Sequence, residues 1–274
     1  MGEYYRPKDY SVIFADFYSV PVFAGSRRKR MYQFFVEDAQ ISSTDVVIEG
    51  SDVNHIKNVL RMKCGEKIRI SSAAGRNFYC TVSEITSEVV RADIVEELEE
   101  NTELPNRIYL FQGIPKSDKM ELIIQKAVEL GVHEIIPVAM KNCVAKLEDK
   151  KAASKIARWQ EIAKSAAKQS KRSLIPEVQM PLTYKLAVQK AKELDVVLVP
   201  YENERGMQAT REVLSAIKPG QSIGIFIGPE GGFDQTEIEL VDKDAYLISL
   251  GNRILRTETA GLATLSMLIY QLEA

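Results

Sequence analysis

The chain has 274 residues, of which 45% are hydrophobic and 27% charged, and its formal net charge is −2. This length fits one large or two ordinary domains, and the composition is that of a folded protein rather than a disordered one. The three cysteines, Cys64, Cys80 and Cys143, form no C-x-x-C pair and are odd in number, which is typical of a reducing cytoplasm. With only two, widely separated histidines, the sequence also argues against a metal site.

The first thirty residues stand apart from the rest of the chain. The segment from Tyr10 to Gly25 is apolar, but Asp16 interrupts it and the cationic run 27–30 follows it. A signal peptide has the opposite order, and a membrane helix needs about 20 apolar residues. We therefore expect no membrane segment and interpret residues 1–30 as a poorly ordered extension, with Met31 as an alternative start. A peripheral membrane anchor is the other interpretation.

Residues 31–100 are predicted to be mostly β. Short alternating segments predict five strands, at 33–36, 45–49, 67–71, 77–85 and 89–95. One helix is expected from Asp52 to Met62, because Val53, Ile56, Val59 and Leu60 fall on one face. These elements predict a small barrel-like domain. The acidic, proline-containing run 96–105 marks a linker.

Residues 106–274 change to alternating strands and helices, the βαβ pattern that produces a parallel sheet. We expect strands at 108–112, 134–139, 175–178, 196–200, 223–227 and 246–250. Helices are expected at 117–130, 151–171, 184–194, 207–217 and 260–272. The sequence therefore predicts an α/β domain after the barrel.

Two of these strands end in glycine-rich turns. The first turn reads Gly228-Pro229-Glu230-Gly231-Gly232, and the second follows Leu250 with Gly251, Asn252 and Arg253. Ligands of open α/β sheets bind at the carboxyl ends of strands, so both turns are expected to line one pocket. The sequence contains neither G-x-x-x-x-G-K-[ST] nor G-x-G-x-x-G, which argues against a kinase or a nucleotide-dependent dehydrogenase and favours another cofactor.

Local chemistry supports a rigid first turn. Pro229 fixes φ, Gly231 and Gly232 permit close backbone approach, and Asp234 with Glu237 forms a capping box for a following helix. The alternative is a tight strand-to-helix turn without a ligand.

In the second motif, the polar side chains are Asn252, Arg253, Arg256 and Glu258, and Thr257 is expected to cap the last helix. Here the alternative is that Arg256 and Glu258 simply pair with each other.

The helix predicted at 260–272 is apolar on nearly every side, so it must be covered all round. Small residues at Gly261, Ala263 and Ser266 permit close approach of another element, which indicates a homodimer. The alternative is that this helix belongs to the core of a single protomer.

The region from Lys141 to Arg172 is strongly basic, with ten cationic residues against three acidic ones. On the predicted helix, Ile156, Trp159, Ala163 and Ala166 share one side, and Lys164, Lys168, Lys171 and Arg172 are expected to face outward. Such a stripe is typical of a phosphate-binding surface, although a merely solvated cationic face is the alternative.

The two turn motifs resemble the signature of the SPOUT methyltransferases, and specifically of the 16S rRNA (uracil-N3) methyltransferase family. Three further stretches are similar to that family: His55-x-x-x-Val59-Leu60-Arg61, the segment Gln112–Glu121, and the segment 125–132. The likeness covers residues 31–274. It implies a PUA-like β-barrel RNA-binding domain over 31–100 and a trefoil-knotted parallel-sheet methyltransferase domain over 106–274.

The resemblance further implies that S-adenosylmethionine is the cofactor. Backbone at the ends of three strands would hold it, with apolar walls around the adenine. The cofactor-binding residues implied in this chain are Leu198, Pro200, Tyr201, Ile227, Gly228, Pro229, Gly231, Gly232, Leu250, Gly251, Asn252, Ile254, Leu255, Arg256 and Thr257.

The implied reaction is methylation of N3 of a uridine in 16S rRNA. This nitrogen keeps its proton at neutral pH, so transfer requires proton removal and stabilisation of the anion on the flanking carbonyls. We expect Arg256 to stabilise the anion, since a guanidinium presents fixed donors to carbonyl oxygens. Candidates for the proton acceptor are Glu258, Glu230 and Asp118, in that order.

The implied partner is 16S rRNA, which cationic side chains from both domains are expected to bind. These RNA-binding candidates are Arg61, Lys63, Arg76, Lys116, Lys164, Lys168, Lys171 and Arg172. The family usually carries Glu-Gln-Cys-x-Arg where this chain has Ala167-Lys168-Gln169-Ser170-Lys171-Arg172, a departure that affects the role of Gln169 and its neighbours. The alternative function is a catalytically silent RNA-binding ribosome assembly factor with the same fold.

Overall fold

The structure is a computed structural model, and it describes residues 31–99, 102–144 and 149–273. The expected N-terminal extension, residues 1–30, lies outside the described residues. The described chain contains two sheets, with one hydrophobic core at the five-stranded sheet and one on each face of the seven-stranded sheet.

The first sheet has five strands in the order β1-β3-β4-β5-β2, where β1 runs parallel to β3 and the other pairs are antiparallel. The strands are β1 (Tyr32–Val36), β2 (Asp45–Ile48), β3 (Lys67–Ser72), β4 (Asn77–Ile85) and β5 (Val90–Leu98). All five predicted strands are therefore present. The expected linker begins too early, however, because Glu96, Glu97 and Leu98 still pair with β4.

The predicted helix of this region is shorter than expected. Helix α1 (Ser51–Asn54) continues into a π-helical turn, His55–Val59, in which the Leu60 amide donates to the His55 carbonyl over 2.9 Å. Arg61 then adopts a φ of 51°, a left-handed conformation that cannot extend a right-handed helix. Ile56 from this turn packs into the core of the sheet.

The second sheet has seven parallel strands: β6 (Arg107–Gly113), β7 (Glu134–Ala139), β8 (Glu177–Val178), β9 (Leu182–Thr183), β10 (Val196–Pro200), β11 (Ser222–Ile227) and β12 (Tyr246–Ile248). The helices between and after them are α2 (Lys119–Glu129), α3 (Asp149–Ser170), α4 (Tyr184–Ala191), α5 (Gln208–Ala216), α6 (Gln235–Val241) and α7 (Thr257–Leu272). The predicted alternation is confirmed; the two-residue strand β9 was not predicted.

Strand order explains where a site forms. The order is β12-β10-β11-β6-β7-β8, with β9 also paired to β7. Strand β10 therefore lies between β11 and β12, with Leu198 opposite Ile225 and Pro200 opposite Ile248. All these strands are parallel, so the turns after β10, β11 and β12 emerge side by side at one edge.

Helices cover both faces of this sheet. Successive residues of a strand point to opposite faces, and Leu110 and Phe111 of β6 accordingly belong to different cores. The Leu110 core contains Trp159 of α3 and Leu265 of α7. In the other core, Phe111 stacks on Phe226 with a centroid distance of 4.4 Å.

One side of helix α7 packs into the core of its own protomer, which was the alternative to a dimer interface. Gly261, Thr264, Leu265 and Leu268 are buried. Gly261, one of the small residues expected to permit close approach, packs within its own protomer, since a Cβ added there would lie 3.5 Å from Ile227 and 3.7 Å from Leu110 of the sheet. Ser266 and Tyr270 lie on the exposed side.

Two cations that were expected to face outward are instead paired with acidic groups, and one of them joins the two domains. Lys168 donates to both carboxylate oxygens of Asp52 in α1, over 2.8 and 3.0 Å. Arg172 is only 3% exposed; its guanidinium pairs with Glu103 and donates to the Val132 carbonyl. The prediction that Lys168 and Arg172 face outward is therefore wrong, because acidic groups from other segments pair with both of them and Arg172 is buried.

Candidate functional site

A cleft of about 340 Å³ lies where the turns after β10, β11 and β12 meet. Most of the residues predicted to bind a cofactor line it. They are Pro200, Tyr201, Ile227, Gly228, Pro229, Gly232, Leu250, Gly251, Asn252, Ile254, Leu255, Arg256 and Thr257. The prediction that the two glycine-rich turns share one pocket is confirmed.

Two predicted cofactor residues do not line the cleft. Leu198 lies in the middle of β10 and is fully buried in the sheet core. Gly231 instead lies against Asn142, whose side-chain amide donates to the Gly231 carbonyl over 3.2 Å. Both belong to the support of the cleft rather than to its surface.

The turn Gly228–Gly232 depends on a close backbone approach to β6. A Cβ atom added to Gly113 would lie 2.7 Å from the Pro229 nitrogen and 3.0 Å from the Gly228 carbonyl carbon. Such distances are far below ordinary contact, so only glycine at position 113 lets this turn lie against the strand. Gly113 was not among the predicted site residues, although its motif was noted.

A second contact ties this turn to the last helix. The Thr257 hydroxyl donates to the Gly228 carbonyl over 2.7 Å and accepts from the Gln112 side-chain amide over 2.9 Å. Thr257 is the first residue of α7, and Arg256 occupies the N-cap position. The prediction that Thr257 caps the helix is therefore wrong; its hydroxyl is used between segments instead.

The far side of the turn is braced by the segment after β7. Asn142 also donates to the Gly232 carbonyl over 3.3 Å, and the Lys141 amide donates to Glu237 over 2.8 Å. The predicted capping box is present in part: the Asp234 amide donates to the Glu237 side chain over 3.0 Å, but the Asp234 carboxylate accepts from the Thr236 amide and not from the Glu237 amide. Hydrogen bonds from Lys141 and Thr236 lower the pKa of Asp234 to about 2.

The opposite wall, Leu250–Leu255, has fewer internal supports. Gly251 takes a φ of 99°, a left-handed conformation suited to glycine, and its amide donates to Ser249 over 3.2 Å. Asn252 and Arg253 are exposed, and Ile254 is 86% exposed even though it is apolar and lines the cleft.

The predicted catalytic residues occupy different positions. Arg256 and Glu230 line the cleft. Glu258 and Asp118 do not, and Glu258 faces Lys119 rather than Arg256. The alternative in which Arg256 and Glu258 pair with each other is therefore wrong.

Glu230 is held tightly as an ionised carboxylate. It accepts from the Lys116 amide over 3.1 Å and from the Lys119 ammonium over 2.9 Å. Burial acts to raise the pKa of Glu230, but the hydrogen bonds from Lys119 and from backbone amides outweigh it, and the net shift is downward. The bond to Glu230 in turn raises the pKa of Lys119.

Lys119, at the start of α2, is a site residue that the sequence did not single out. It lines the cleft, and its ammonium also lies 3.4 Å from the Glu258 carboxylate. That Glu258 oxygen, Oε2, is buried and has no well-aligned hydrogen bond, so the contact is an ion pair rather than a hydrogen bond. Other unpredicted lining residues are Glu202, Glu204, Arg205, Phe233, Ser249 and Ala260; Arg253 was noted only as polar.

The remaining RNA-binding candidates lie on several surfaces. Arg61, Lys63 and Lys116 are exposed, whereas Lys164 and Lys171 are half-buried. Arg76 is exposed but forms two hydrogen bonds of 2.8 Å with Glu97. Its role and those of the other five remain predictions.

Among the described helices, none is both long and apolar enough to cross a membrane. No group of three or more histidine, cysteine or acidic side chains that could hold a metal ion occurs within residues 31–99, 102–144 and 149–273.

Comparison with known proteins identifies the family of both domains. Residues 102–269 match the model of an RNA methyltransferase domain, and residues 48–95 match that of an RNA methyltransferase PUA domain. The chain is 40% identical over 250 residues to ribosomal RNA small subunit methyltransferase E of Bacillus subtilis, covering 89% of this chain and 98% of that protein. It is 35% identical to the protein of the same name from Mesomycoplasma hyopneumoniae, covering 87% and 99%.

Solved structures agree with this result. A methyltransferase from Legionella pneumophila in complex with the cofactor SAM superimposes with a TM-score of 0.78 at 30% identity, covering 88% of this chain and 98% of that one. Ribosomal RNA small subunit methyltransferase E from Neisseria gonorrhoeae, bound to S-adenosyl methionine, gives a TM-score of 0.76 at 30% identity with the same coverage. The chain therefore belongs to the RNA methyltransferase family that includes ribosomal RNA small subunit methyltransferase E.

Proposed function

We propose that this protein transfers a methyl group from S-adenosylmethionine to N3 of a uridine in 16S rRNA. The observation that carries the proposal is the cleft formed by three adjacent strand ends, with Arg256 on its lining. Family membership supports the reaction class, and relatives of similar fold bind the same cofactor.

The residues present fit such a cofactor. A cleft of about 340 Å³ falls within the range of small-molecule sites. Ile227, Leu250 and Leu255 offer apolar walls for an adenine, and the backbone of the two turns offers amides and carbonyls. A Cβ at Gly232 would lie 3.4 Å from both carboxylate oxygens of Glu202, so glycine leaves room beside an acidic group that suits a cation. When bound, the cofactor supplies an electrophilic methyl group on a sulfonium.

Arg256 would act on the uracil. Removal of the N3 proton places negative charge on the two flanking carbonyl oxygens, and this charge would be cancelled when N3 takes the methyl group. Arg256 is exposed to the cleft and presents planar donors to such an oxygen. Removing a donor of this kind costs about 10²–10³ in kcat.

Glu230 is the better-placed proton acceptor of the three candidates. It lines the cleft, while Glu258 and Asp118 do not. Its lowered pKa makes it a weak base, so the reaction depends on groups that make the N3 proton easier to remove. Holding the methyl donor and N3 in line supplies a further part of the rate.

The RNA would be held by cations near the cleft and on the β domain. The side chain of Lys116 is exposed, and its backbone amide donates to Glu230, a residue that lines the cleft. Arg61 and Lys63 are exposed on the other domain, and Arg76, Lys164 and Lys171 are weaker candidates because they are paired or half-buried. Phosphate contacts of this type predict binding that weakens as salt rises.

Two features of the family's fold and assembly belong to the same proposal. We infer a trefoil knot, supported by α7, which follows the edge strand β12 and returns to pack on β6, β11 and α2. We also infer that the protein is cytoplasmic, as expected for an enzyme acting on 16S rRNA, and that it forms a homodimer. Tyr270 on α7 and Leu122 on α2, which are 82% and 47% exposed, support the dimer. Sedimentation velocity of the wild type and of Tyr270→Glu tests the dimer.

The test of function uses Arg256→Ala. Methylation of small-subunit RNA from a strain lacking this protein would be followed by mass analysis of nucleosides. We expect N3-methyluridine with the wild type, none with the variant, and RNA affinity within a few-fold. RNA binding by the wild type without any methyl transfer would instead support the silent assembly factor.

A further inference from the structure

Lys119 occupies a position between two carboxylates and the cleft. Its ammonium donates to Glu230 over 2.9 Å and lies 3.4 Å from Glu258. The two acids come from different segments, the turn after β11 and the first turn of α7. Lys119 also lines the cleft with 29% of its side chain exposed, so solvent or a ligand can reach it.

An ammonium has three N–H groups. Glu230 takes one along a hydrogen bond, and Glu258 lies within ion-pair distance of a second without hydrogen-bond alignment. A donor therefore remains for a group bound in the cleft. Two carboxylates around one ammonium keep the lysine charged, and the ammonium keeps Glu230 ionised until a proton arrives.

Proton transfer from N3 to Glu230 moves a negative charge from the carboxylate to the uracil carbonyl oxygens. The N–H bond breaks, the proton goes to Glu230, and the electron pair stays on the uracil anion. In the methyl transfer that follows, this pair would form the bond to the methyl carbon while the methyl–sulfur bond of the cofactor breaks and leaves its electron pair on sulfur. An ammonium that touches both Glu230 and the uracil remains paired during the proton transfer, because the negative charge passes from one neighbour to the other. Methyl transfer would then cancel that charge against the positive sulfonium. Such a preorganised cation stabilises developing charge without a large rearrangement.

We propose that Lys119 is a second cationic group of the reaction, which pairs with Glu230 before proton transfer and with a uracil carbonyl oxygen after it. Arg256 then stabilises the same anion from the loop after β12. This inference rests on the proposed function and adds a residue to it. Glu258, which does not line the cleft, positions the ammonium from behind.

The test compares Lys119→Met with Lys119→Arg under saturating cofactor and RNA. The expected result is a kcat lower by about 10²–10³ for Lys119→Met, as for loss of one donor to a developing anion. Dissociation constants for cofactor and RNA should change less than three-fold. Lys119→Arg, which keeps the charge, should recover at least ten-fold of the loss.

Lys126→Met is the matched control. Lys126 lies on the same helix and pairs with Glu129 over 2.8 Å, but it does not line the cleft. Its replacement should leave kcat within two-fold. Thermal unfolding of all variants checks that they fold.

A substrate change provides a second measurement. In RNA transcribed with 5-fluorouridine the target imide is more acidic and needs less help to ionise, so the deficit of Lys119→Met should shrink by ten-fold or more. A kcat above one third of wild type for Lys119→Met would overturn the proposal. The proposal would also be overturned if Lys119→Met impaired only cofactor binding, or if its loss of kcat were equally large on the uridine and 5-fluorouridine RNAs. If the wild type methylates neither RNA, the proposed function fails instead.

Discussion

The two walls of the cleft differ in how they are built. The turn Gly228–Gly232 is held by its neighbours: Gly113 lies beneath it, Thr257 and Asn142 bind its carbonyls, and Lys119 binds Glu230. The wall Leu250–Leu255 exposes Asn252, Arg253 and the apolar side chain of Ile254. One wall is fixed by protein contacts, whereas the other presents its groups to solvent.

The difference suggests a division of work. A wall braced on several sides can hold a cofactor in one position, which is the requirement for in-line transfer. The exposed apolar and cationic groups of an open wall become buried only when a ligand binds. Changes to the braced wall should therefore affect both stability and cofactor binding, while changes to the open wall should affect binding alone.

Gly113→Ala should have the largest effect on the braced wall. The new methyl group would overlap the Pro229 nitrogen at 2.7 Å, and backbone cannot move aside as a side-chain end can. We expect the free energy of unfolding to fall by about 1–3 kcal/mol, the usual cost of overpacking. Cofactor affinity, measured by titration calorimetry, should fall at least ten-fold.

Gly261→Ala is the control for that substitution. Its added Cβ would meet its nearest neighbour, Ile227, at 3.5 Å, an ordinary contact. Alanine also favours the helix by up to about 1 kcal/mol, so stability should hold or rise. Equal losses in both variants would mean that the close approach at Gly113 has no special importance.

Thr257→Val tests the link between the braced turn and α7. The substitution keeps the shape but leaves the Gly228 carbonyl and the Gln112 amide without this partner. Leaving a buried polar group unsatisfied costs about 1–3 kcal/mol, which urea denaturation would measure. Thr264→Val removes only a bond to the Ala260 carbonyl within the helix, so it should cost less. A smaller loss at position 257 than at 264 would contradict the proposed link.

Ile254→Ala tests the open wall. Because Ile254 is 86% exposed, the free energy of unfolding should change by less than about 0.5 kcal/mol. Cofactor affinity should nevertheless fall several-fold, since the side chain lines the cleft and is buried only on binding. Leu186→Ala, at a 51% exposed leucine of α4, should change neither quantity. Destabilisation of the free protein by Ile254→Ala would show that this wall is not open.

The smallest effect is expected from Asp234→Asn, which keeps a capping oxygen but removes the charge. The pKa of Asp234 is about 2 against an ordinary 3.8, so its ionised form stabilises the fold at neutral pH. That stabilisation is complete above the unfolded pKa and is lost as pH falls toward 2, with roughly half remaining at pH 3. The gap in melting temperature between wild type and variant should narrow accordingly from pH 6 to pH 3. A melting-temperature gap that stays constant from pH 6 to pH 3 would refute the lowered pKa of Asp234.

Local sequence features predicted much of the braced wall. Gly232 adopts a φ of 68°, and Glu237 binds the Asp234 amide as one half of the expected capping box, because turns and caps depend on residues close in the chain. The alternation of strands and helices likewise predicted a parallel sheet with the turns at one edge.

Contacts between distant segments could not be predicted from the same signals. Thr257 and Gln112 are 145 residues apart, and Lys119 and Glu230 are 111 apart, so no local pattern reports either pair. The charge count of the basic region led to a wrong prediction of outward-facing cations. A local count cannot show that Glu103 pairs with Arg172, or that Asp52 pairs with Lys168, because these acids come from other segments.

The most direct test of the account is a crystal structure of the protein grown with S-adenosylmethionine. We predict electron density for the cofactor between the turn at Gly228 and the turn at Leu250, with Ile254 covered and the braced turn unmoved. Cofactor bound elsewhere on the protein, or a cleft without cofactor density at a saturating cofactor concentration, would contradict the account.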